Sequence, residues 1–339
     1  MLDFDSFQRY IADNIKDHLP EEFADATVSL NTVTKNNGTQ LHGMTIRTEG
    51  NEVCPNIYLD QFYENYTEHG MDIDVIMDHV AKLELEHMDP ELGITNVAEK
   101  FMDVDFIKDH VVVALVNAEK NAEMLRDTPH KMTEDLAVIY KVMLSNGGPM
   151  GTATVTIKEQ HMKNWDITLD ELHECAVKNS RELLPVKVQD MGSLIREMMG
   201  MAGDDLIPEA SAEEMMYVIS NEQKVNGASS IIYSDVLEKL SEKLDSSLYI
   251  LPSSVHELIA VPSYGSTPDV LAQMVKEVNA TQVSPEEQLS DHVYMYDFRT
   301  KSLSIADTYA ERREASMVSE NKQSYEAANT EVSRPRHHR

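Results

Sequence analysis

The sequence predicts an α+β fold: an N-terminal α+β region, two similar β-α-β-β-α-β units of ferredoxin-like element order, and a polar tail. Three observations predict it. Short apolar runs bounded by turn residues alternate with segments of helical period along most of the chain. The order strand-helix-strand-strand-helix-strand over residues 111–189 repeats over residues 215–298. Beyond Ala306 apolar residues become sparse, and the chain runs to a basic RPRHHR. The expected divisions are 1–105 for the N-terminal region with acidic helices, 106–200 and 215–305 for the two units, and 306–339 for a disordered tail.

In the N-terminal region Phe4, Phe7, Ile11, Ile15 and Leu19 share one helix face, closed by Pro20. Residues 27–47 read as a hairpin turning at Asn36-Asn37-Gly38, and Val53–Leu59 as a third strand. Asp60 is placed to cap the next helix and Gly70 to end it. A second helix carries Ile73, Ile76, Met77, Val80 and Leu83; His79 and His87 on it lie about two turns apart, too far to share a metal readily.

In the first unit Val111–Val116 is a compact apolar strand and Glu119–Arg126 a short helix. Leu136, Val138, Tyr140, Val142 and Leu144 alternate strictly, as a half-buried strand does. Asn146–Gly151 joins this strand to Thr152–Ile157, and it lacks the spacing of a phosphate-binding loop. Thr168 and Glu171 form a capping box ahead of Leu172, Ala176 and Leu183, with Trp165 packing nearby and His173 beside the apolar stripe. A short strand over Val186–Val188 closes the unit, and an amphipathic helix through Leu194–Met199 and a linker over Gly200–Glu214 follow.

In the second unit Met215–Ile219 is a strand and Val236–Leu244 a helix capped by Ser234 or Asp235. Leu248–Leu251 and Leu258–Val261 flank the turn Pro252–Glu257 as a buried hairpin. Thr267-Pro268-Asp269 starts a helix with a cap, a first-turn proline and a first-turn acid. Val293–Phe298 and Ser302–Ile305 make a last hairpin.

Topology points to one candidate site. Right-handed crossovers and one hairpin put the end of strand one, the hairpin turn and the start of strand four on a single rim. In the second unit that rim collects Asn221, Ser253, Ser254, His256, Glu257, Asp291 and His292. If strand four lies beside strand one, His256 and His292 come within about 10 Å along the backbone. They would then act as metal ligands or acid/base groups, with Glu257 or Asp291 beside them, or His256 would serve a Ser253 or Ser254 nucleophile. The plainer reading, which is preferred, is that Ser-Ser-x-His-Glu is a hydrogen-bonded turn and Ser290-Asp291 the start of a strand. The sequence holds no HExxH, nucleophile elbow or dinucleotide fingerprint, and no cofactor is expected.

Composition bounds the partners. The chain carries 59 acidic and 29 basic residues, a formal charge of −30. That repels nucleic-acid phosphates and anionic lipid. Residues 60–110 hold 14 acids against 3 bases, which reads first as a solvated helix face and then as a surface for a basic protein. Cys54 and Cys175 are the only cysteines, so no disulfide framework or CxxC site exists. MLDFDSFQRY is not a signal peptide, and no run is apolar enough for a membrane span, so a cytoplasmic protein is expected.

YILPSSVHE, VNATQV followed by SDHVYMYD, NIYLDQFYENY and VNAEKN resemble an uncharacterised bacterial family, domain of unknown function 5688, over roughly residues 1–305. Trp165–Thr168 with Glu171-Leu172, and Asp269–Met274, are more weakly similar to domain of unknown function 1444. Neither resemblance implies an activity, a cofactor or catalytic residues. The expected function is therefore an acidic cytoplasmic interaction or adaptor protein; the alternatives are a hydrolase or metal-dependent enzyme using the rim, and a nucleic-acid mimic. Oligomeric state is left open by the sequence.

Overall fold

The computed structural model describes residues 1–49, 54–87, 97–145, 152–198 and 215–307. The Gly-rich loop, the linker and nearly all of the expected tail lie outside the described residues. The fold is α+β, with antiparallel sheets. The chain divides into two compact units: residues 1–132, 137–185 and 284–288 in one, and 133–136, 186–283 and 289–339 in the other.

The first unit opens with α1 (Phe4–Asn14), whose N-terminus is capped by the Asp3 carboxylate accepting from the Ser6 N–H. β1 (Thr27–Thr34) and β2 (Gln40–Arg47) pair in unbroken register, and β3 (Ile57–Tyr58) adds to β2. Between β1 and β2 Asn37 adopts φ 59°, a left-handed value that asparagine tolerates. The Asn37 side chain donates to the carbonyls of Pro285 and Gln288, which anchors the hairpin tip. α2 (Asp60–Thr67) and α3 (Ile73–His87) cover this sheet. Phe7, Ile11, Met44, Ile46, Leu59, Ile76, Met77 and Val80 make one fully buried core there. The rings of Phe4 and Phe7 pack on Tyr63 at centroid distances of 4.8 and 5.3 Å.

Asp60 does not cap α2. It is the first helical residue, and its carboxylate accepts from the N–H of His42 at 2.7 Å and lies 2.9 Å from His42 Nδ1. The His42 N–H, left open just past the two-residue pairing of β3, and the His42 imidazole outcompete the helix end. Gly70, at φ 62°, follows the end of α2 as expected.

After α4 (Val97–Met102) and α5 (Val104–His110), β4 (Val111–Asn117) is buried along its whole length. β6 (Leu136–Ser145) lies between β4 and β5 (His130–Thr133), and β7 (Ala153–Thr156) pairs with its second half across a bulge. Residues 119–126 form turns and a single 3₁₀ turn, Met124–Arg126, rather than the expected helix. α6 (Glu159–Trp165), which the apolar pattern does not announce, precedes α7 (Leu169–Leu183). Trp165 closes α6, and its indole N–H donates to the Phe101 carbonyl. The Thr168–Glu171 capping box is formed in both directions. α7 is fixed on β4 by polar groups: Ser180 Oγ accepts from the Val113 N–H, and the Asn179 amide donates to the carbonyls of Lys108 and Val111.

The second unit is built on a six-stranded sheet of order β13-β12-β10-β11-β9-β8. Its strands are β8 (Val186–Asp190), β9 (Tyr217–Asn221), β10 (Leu248–Pro252), β11 (Leu258–Pro262), β12 (Tyr294–Asp297) and β13 (Ser302–Ile305). α8 (Met191–Met198) and α9 (Ser234–Leu244) join its early strands, and α10 (Pro268–Thr281) precedes β12. Tyr249, Leu251, Val261, Val293 and Met295 of the sheet pack with Leu271 and Val275 of α10. α9 starts without the expected side-chain cap.

Two features correct the expected pair of ferredoxin-like units. β8, expected to close the first unit, pairs with β9 of the second. β9 is buried at every residue, so both rows of its main-chain groups need partners, and β8 and β11 supply them. Pairing also differs between the supposed repeats. In the first, strand one (β4) neighbours strand two (β6); in the second, strand one (β9) neighbours strand three (β11), and strand four (β12) neighbours strand two (β10). Similar element order therefore carries different sheets.

Candidate functional site

The rim begins with the β10–β11 hairpin. Its register closes at Pro252 opposite Leu258, leaving Ser253–Glu257 as the turn. The turn's polar groups bond to one another. The Ser254 N–H donates to the Glu257 carbonyl, Ser253 Oγ donates to Glu257 Oε1 at 3.2 Å, and Ser254 Oγ accepts from the His256 N–H at 3.0 Å. Both hydroxyls thus shape the turn, as Asx- and ST-type turns do.

His256 faces the loop that follows β9. Its Nδ1 accepts from the Asn226 N–H at 3.2 Å. Its carbonyl accepts from Ser220 Oγ at 2.7 Å. The loop is shaped to receive it. Asn221 bonds to both main-chain groups of Val225 through its amide, and Asn226 sits at φ 52°. Gly227 comes so close that a Cβ there would fall on the His256 carbonyl and Ser220 Oγ. Gly227→Ala is expected to push the loop off the turn, break the Ser220–His256 bond and cost about 2–4 kcal/mol. Urea unfolding of the variant measures this; a cost below about 0.5 kcal/mol would mean that the loop shifts freely and the contact positions nothing.

The other rim residues lie on the opposite flank of the hairpin. β12 pairs with β10, Ile250 opposite Tyr294, and this register continued toward the rim sets His292 across from Pro252. β11, by contrast, pairs with β9 through Leu258 and Ile219. The condition for the two histidines to converge, strand four beside strand one, is not met. His292 is exposed, and its N–H donates to Ser290 Oγ. Asp291 accepts from the Asn279 amide at 2.7 Å. The structure therefore groups Ser253, Ser254, His256, Glu257 and Asn221 around one loop contact, and Asp291 and His292 around another. Among the described residues no three His, Cys, Asp or Glu side chains gather in a way that could hold a metal ion.

The second group contains a residue that sequence reasoning missed. Asp135, in the turn between β5 and β6, accepts from Tyr294 Oη at 2.6 Å and from Ser290 Oγ at 2.7 Å. Ser290 is fully buried. Burial, and then the Asp135 charge, push the Tyr294 hydroxyl well above the usual tyrosine range, so it stays a donor. Ser290 has a carboxylate beside it but is sealed from solvent, so this hydroxyl holds structure together rather than attacking a substrate. No local sequence signal finds Asp135, because its partners lie 155 and 159 residues away.

Two further histidines have polar partners. His42 lies against Asp60, as described. His173 Nδ1 meets the hydroxyl of fully buried Tyr140 at 3.0 Å, and burial, then Lys131, lowers its pKa.

No helix among the described residues is long and apolar enough to cross a membrane. No curated protein and no solved structure matches the chain. The likeness to domain of unknown function 1444 is not shown. A family profile matches residues 4–298, which spans both units and the whole rim. The chain belongs to a family of unknown function, DUF5688.

Proposed function

We propose that this chain is an interaction protein of the cytoplasm whose acidic helices dock a basic protein surface. The observation that supports the reading is the distribution of carboxylates on α2, α3 and the segment between them. Glu64, Glu68, Asp72, Asp74 and Asp78 are all exposed there, and Lys82 is the sole lysine or arginine of residues 60–87. Their apolar counterparts on the same helices, Ile76, Met77 and Val80, are spent on the core. A dense field of one sign steers a partner of the other sign and makes its binding salt-dependent. The turn bonds of Ser253, Ser254 and Glu257 favour this reading over hydrolysis at the rim.

The test is affinity purification from the protein's own cells at low and at high salt, using the full chain and a Glu64→Gln/Glu68→Gln/Asp74→Asn variant. The expected result is a partner with a basic surface, retained at low salt, released at high salt and lost from the variant. Recovery of no partner at low salt, or of one indifferent to the substitutions, overturns the reading.

A further inference from the structure

We propose that Lys141 and Lys35 form an anion site, a partly enclosed pair of ammonium groups that takes a phosphate group, either free phosphate or that of a small monoester.

Lys141 lies in β6, on the strand face that Ile139 and Met143 share. Ile139 clusters with Ala114 and Val116 of β4, and Met143 with Val112. The lysine therefore rises from an apolar face, with apolar residues before and after it on its own strand and on β4 alongside. On its other side β7 sets Thr156 directly opposite. Opposed residues of an antiparallel pair share a face, so the Thr156 hydroxyl stands beside the Lys141 stem. Protein encloses the Lys141 amine on nearly every side, yet the residue keeps part of its surface open to solvent. A group so placed lines a recess rather than the outer surface.

Lys35 reaches the same place from the tip between β1 and β2. That tip is held against the turn after β4, where the Asn37 N–H donates to Asn121 Oδ1 and the Asn121 amide donates back to Asn37 Oδ1. Lys35 Nζ lies 4.4 Å from the Tyr58 ring centroid, so an aromatic face holds it rather than a carboxylate. Its charge is near enough to act on Lys141, and that action is a repulsion.

Among the described residues neither amine meets a carboxylate or a hydrogen-bond acceptor. This chain carries 59 acids against 29 bases, and Lys82, Lys131, Lys158, Lys187, Lys239 and Lys301 each reach one. A desolvated ammonium without a counter-charge is unfavourable, and a second one within reach makes it more so. Burial, and then Lys35, accordingly lower the Lys141 pKa. A position that needed only volume would hold leucine or methionine without that penalty. The partner that suits such a pair is an anion. A carboxylate offsets one ammonium; a phosphate dianion offsets both and has oxygens to spare for the Thr156 hydroxyl. The overall charge of −30 repels anions at long range, so the expected affinity is millimolar.

Two experiments on the full chain test this. In the first, the chain is treated with a small excess of pyridoxal 5′-phosphate and borohydride, and the labelled lysines are mapped. The aldehyde condenses with an amine beside the bound phosphate group, losing water, and borohydride reduces the imine to a stable secondary amine. Label is expected on Lys141 or Lys35 ahead of the other lysines. Inorganic phosphate and glycerol 3-phosphate should suppress it, and chloride of equal ionic strength should not; the lower half-suppressing concentration tells free phosphate from monoester. Label spread over the other lysines, or indifferent to both phosphates, overturns the proposal, and this result depends on no variant folding. The second experiment compares thermal unfolding at pH 8 in phosphate and in chloride at matched ionic strength. Phosphate should raise the melting temperature of the native chain by more than that of Lys141→Met, since general salt stabilisation acts on both and binding on one. Lys141→Met and Lys35→Met should each raise the phosphate concentration for half the effect at least about tenfold. In chloride Lys141→Met should melt no lower than the native chain, because methionine fills the space of the stem without an unpaired charge. Equal phosphate gains in all three proteins, or a Lys141→Met chain that melts lower in chloride, would mean that the amine has its partner within the protein and would overturn the proposal.

Discussion

Glu84→Gln is expected to stabilise the protein at pH 8 by about 2 kcal/mol and to leave it nearly unchanged at pH 5. Glu84 lies on α3 one turn beyond Val80 and two turns beyond Met77, on the face that buries the N-terminal core. It is fully buried, and neither carboxylate oxygen has a hydrogen-bond partner among the described residues. Burial without a partner penalises the charged form, so the carboxyl is pushed up to about 7 from an ordinary 4.5. The sign follows directly. Between those two values the folded chain binds the proton and the unfolded chain has released it, so stability falls as pH rises through the interval. Above about 7 the cost is complete; below 4.5 both states are protonated and it vanishes. The full shift would correspond to about 3 kcal/mol, and side-chain relaxation toward the nearby end of α3 reduces it. Glutamine keeps the shape and the unmet polar group but cannot ionise, so it removes only the pH-dependent part. Chemical denaturation of both proteins from pH 5 to pH 8 measures the difference, which should open as pH rises. A constant difference across that range would show that Glu84 is solvated in the folded state.

The same helix illustrates how much of the fold was legible. A 3.6-residue period marks Ile73, Ile76, Met77, Val80 and Leu83 as one face, and the structure buries Ile76, Met77 and Val80 and packs Ile73 and Leu83, partly buried, against them. The same period puts position 84 on that face, but a glutamate there reads as the solvated end of the apolar stripe, and only the structure shows it buried. Strict alternation marks β6, and turn residues between apolar runs mark β10 and β11, with Pro252 and Leu258 closing the ladder. These signals are local, so they survive in one dimension. Strand order is not local. The sequence of β9 says only that it is buried on both faces, and nothing in it distinguishes β8 from a helix as its outer neighbour. Local signals therefore put these residues at one end of a sheet, whereas the meeting of His256 and His292 hangs on strand order, and β10 and β11 lie between β9 and β12. The turn's own bonds, Ser253 to Glu257 and Ser254 to His256, follow from the residue types. The loop that receives His256 does not, because its fit depends on the missing Cβ of Gly227 from a different segment.

Asp135→Ala is expected to cost about 3–4 kcal/mol, more than any other single polar substitution in the second unit. The carboxylate is the acceptor for two buried hydroxyls at once, Tyr294 Oη and Ser290 Oγ. Deleting it strands both donors, whereas deleting either donor strands less. Tyr294→Phe should therefore cost about 1–2 kcal/mol and Ser290→Ala about 1 kcal/mol. Asp135→Asn should fall between these and alanine, because its amide offers one acceptor and presents N–H groups to the other hydroxyl. The Asp135→Ala/Tyr294→Phe double variant should cost clearly less than the sum of the two, with a coupling of at least about 1 kcal/mol, since the phenylalanine leaves no hydroxyl to strand. Titration supplies an independent reading of the same bond. The Tyr294 hydroxyl is held above its ordinary 10 by burial and then by Asp135, so stability should decline as pH climbs past 10. Tyr294→Phe should flatten that decline. Asp135→Ala should lessen it too, because the carboxylate's repulsion of the phenolate is gone while the burial remains. Additive costs in the double variant would show that the two side chains do not share a bond in solution, and that the start of β12 is held by Asn279 and Asp291 instead.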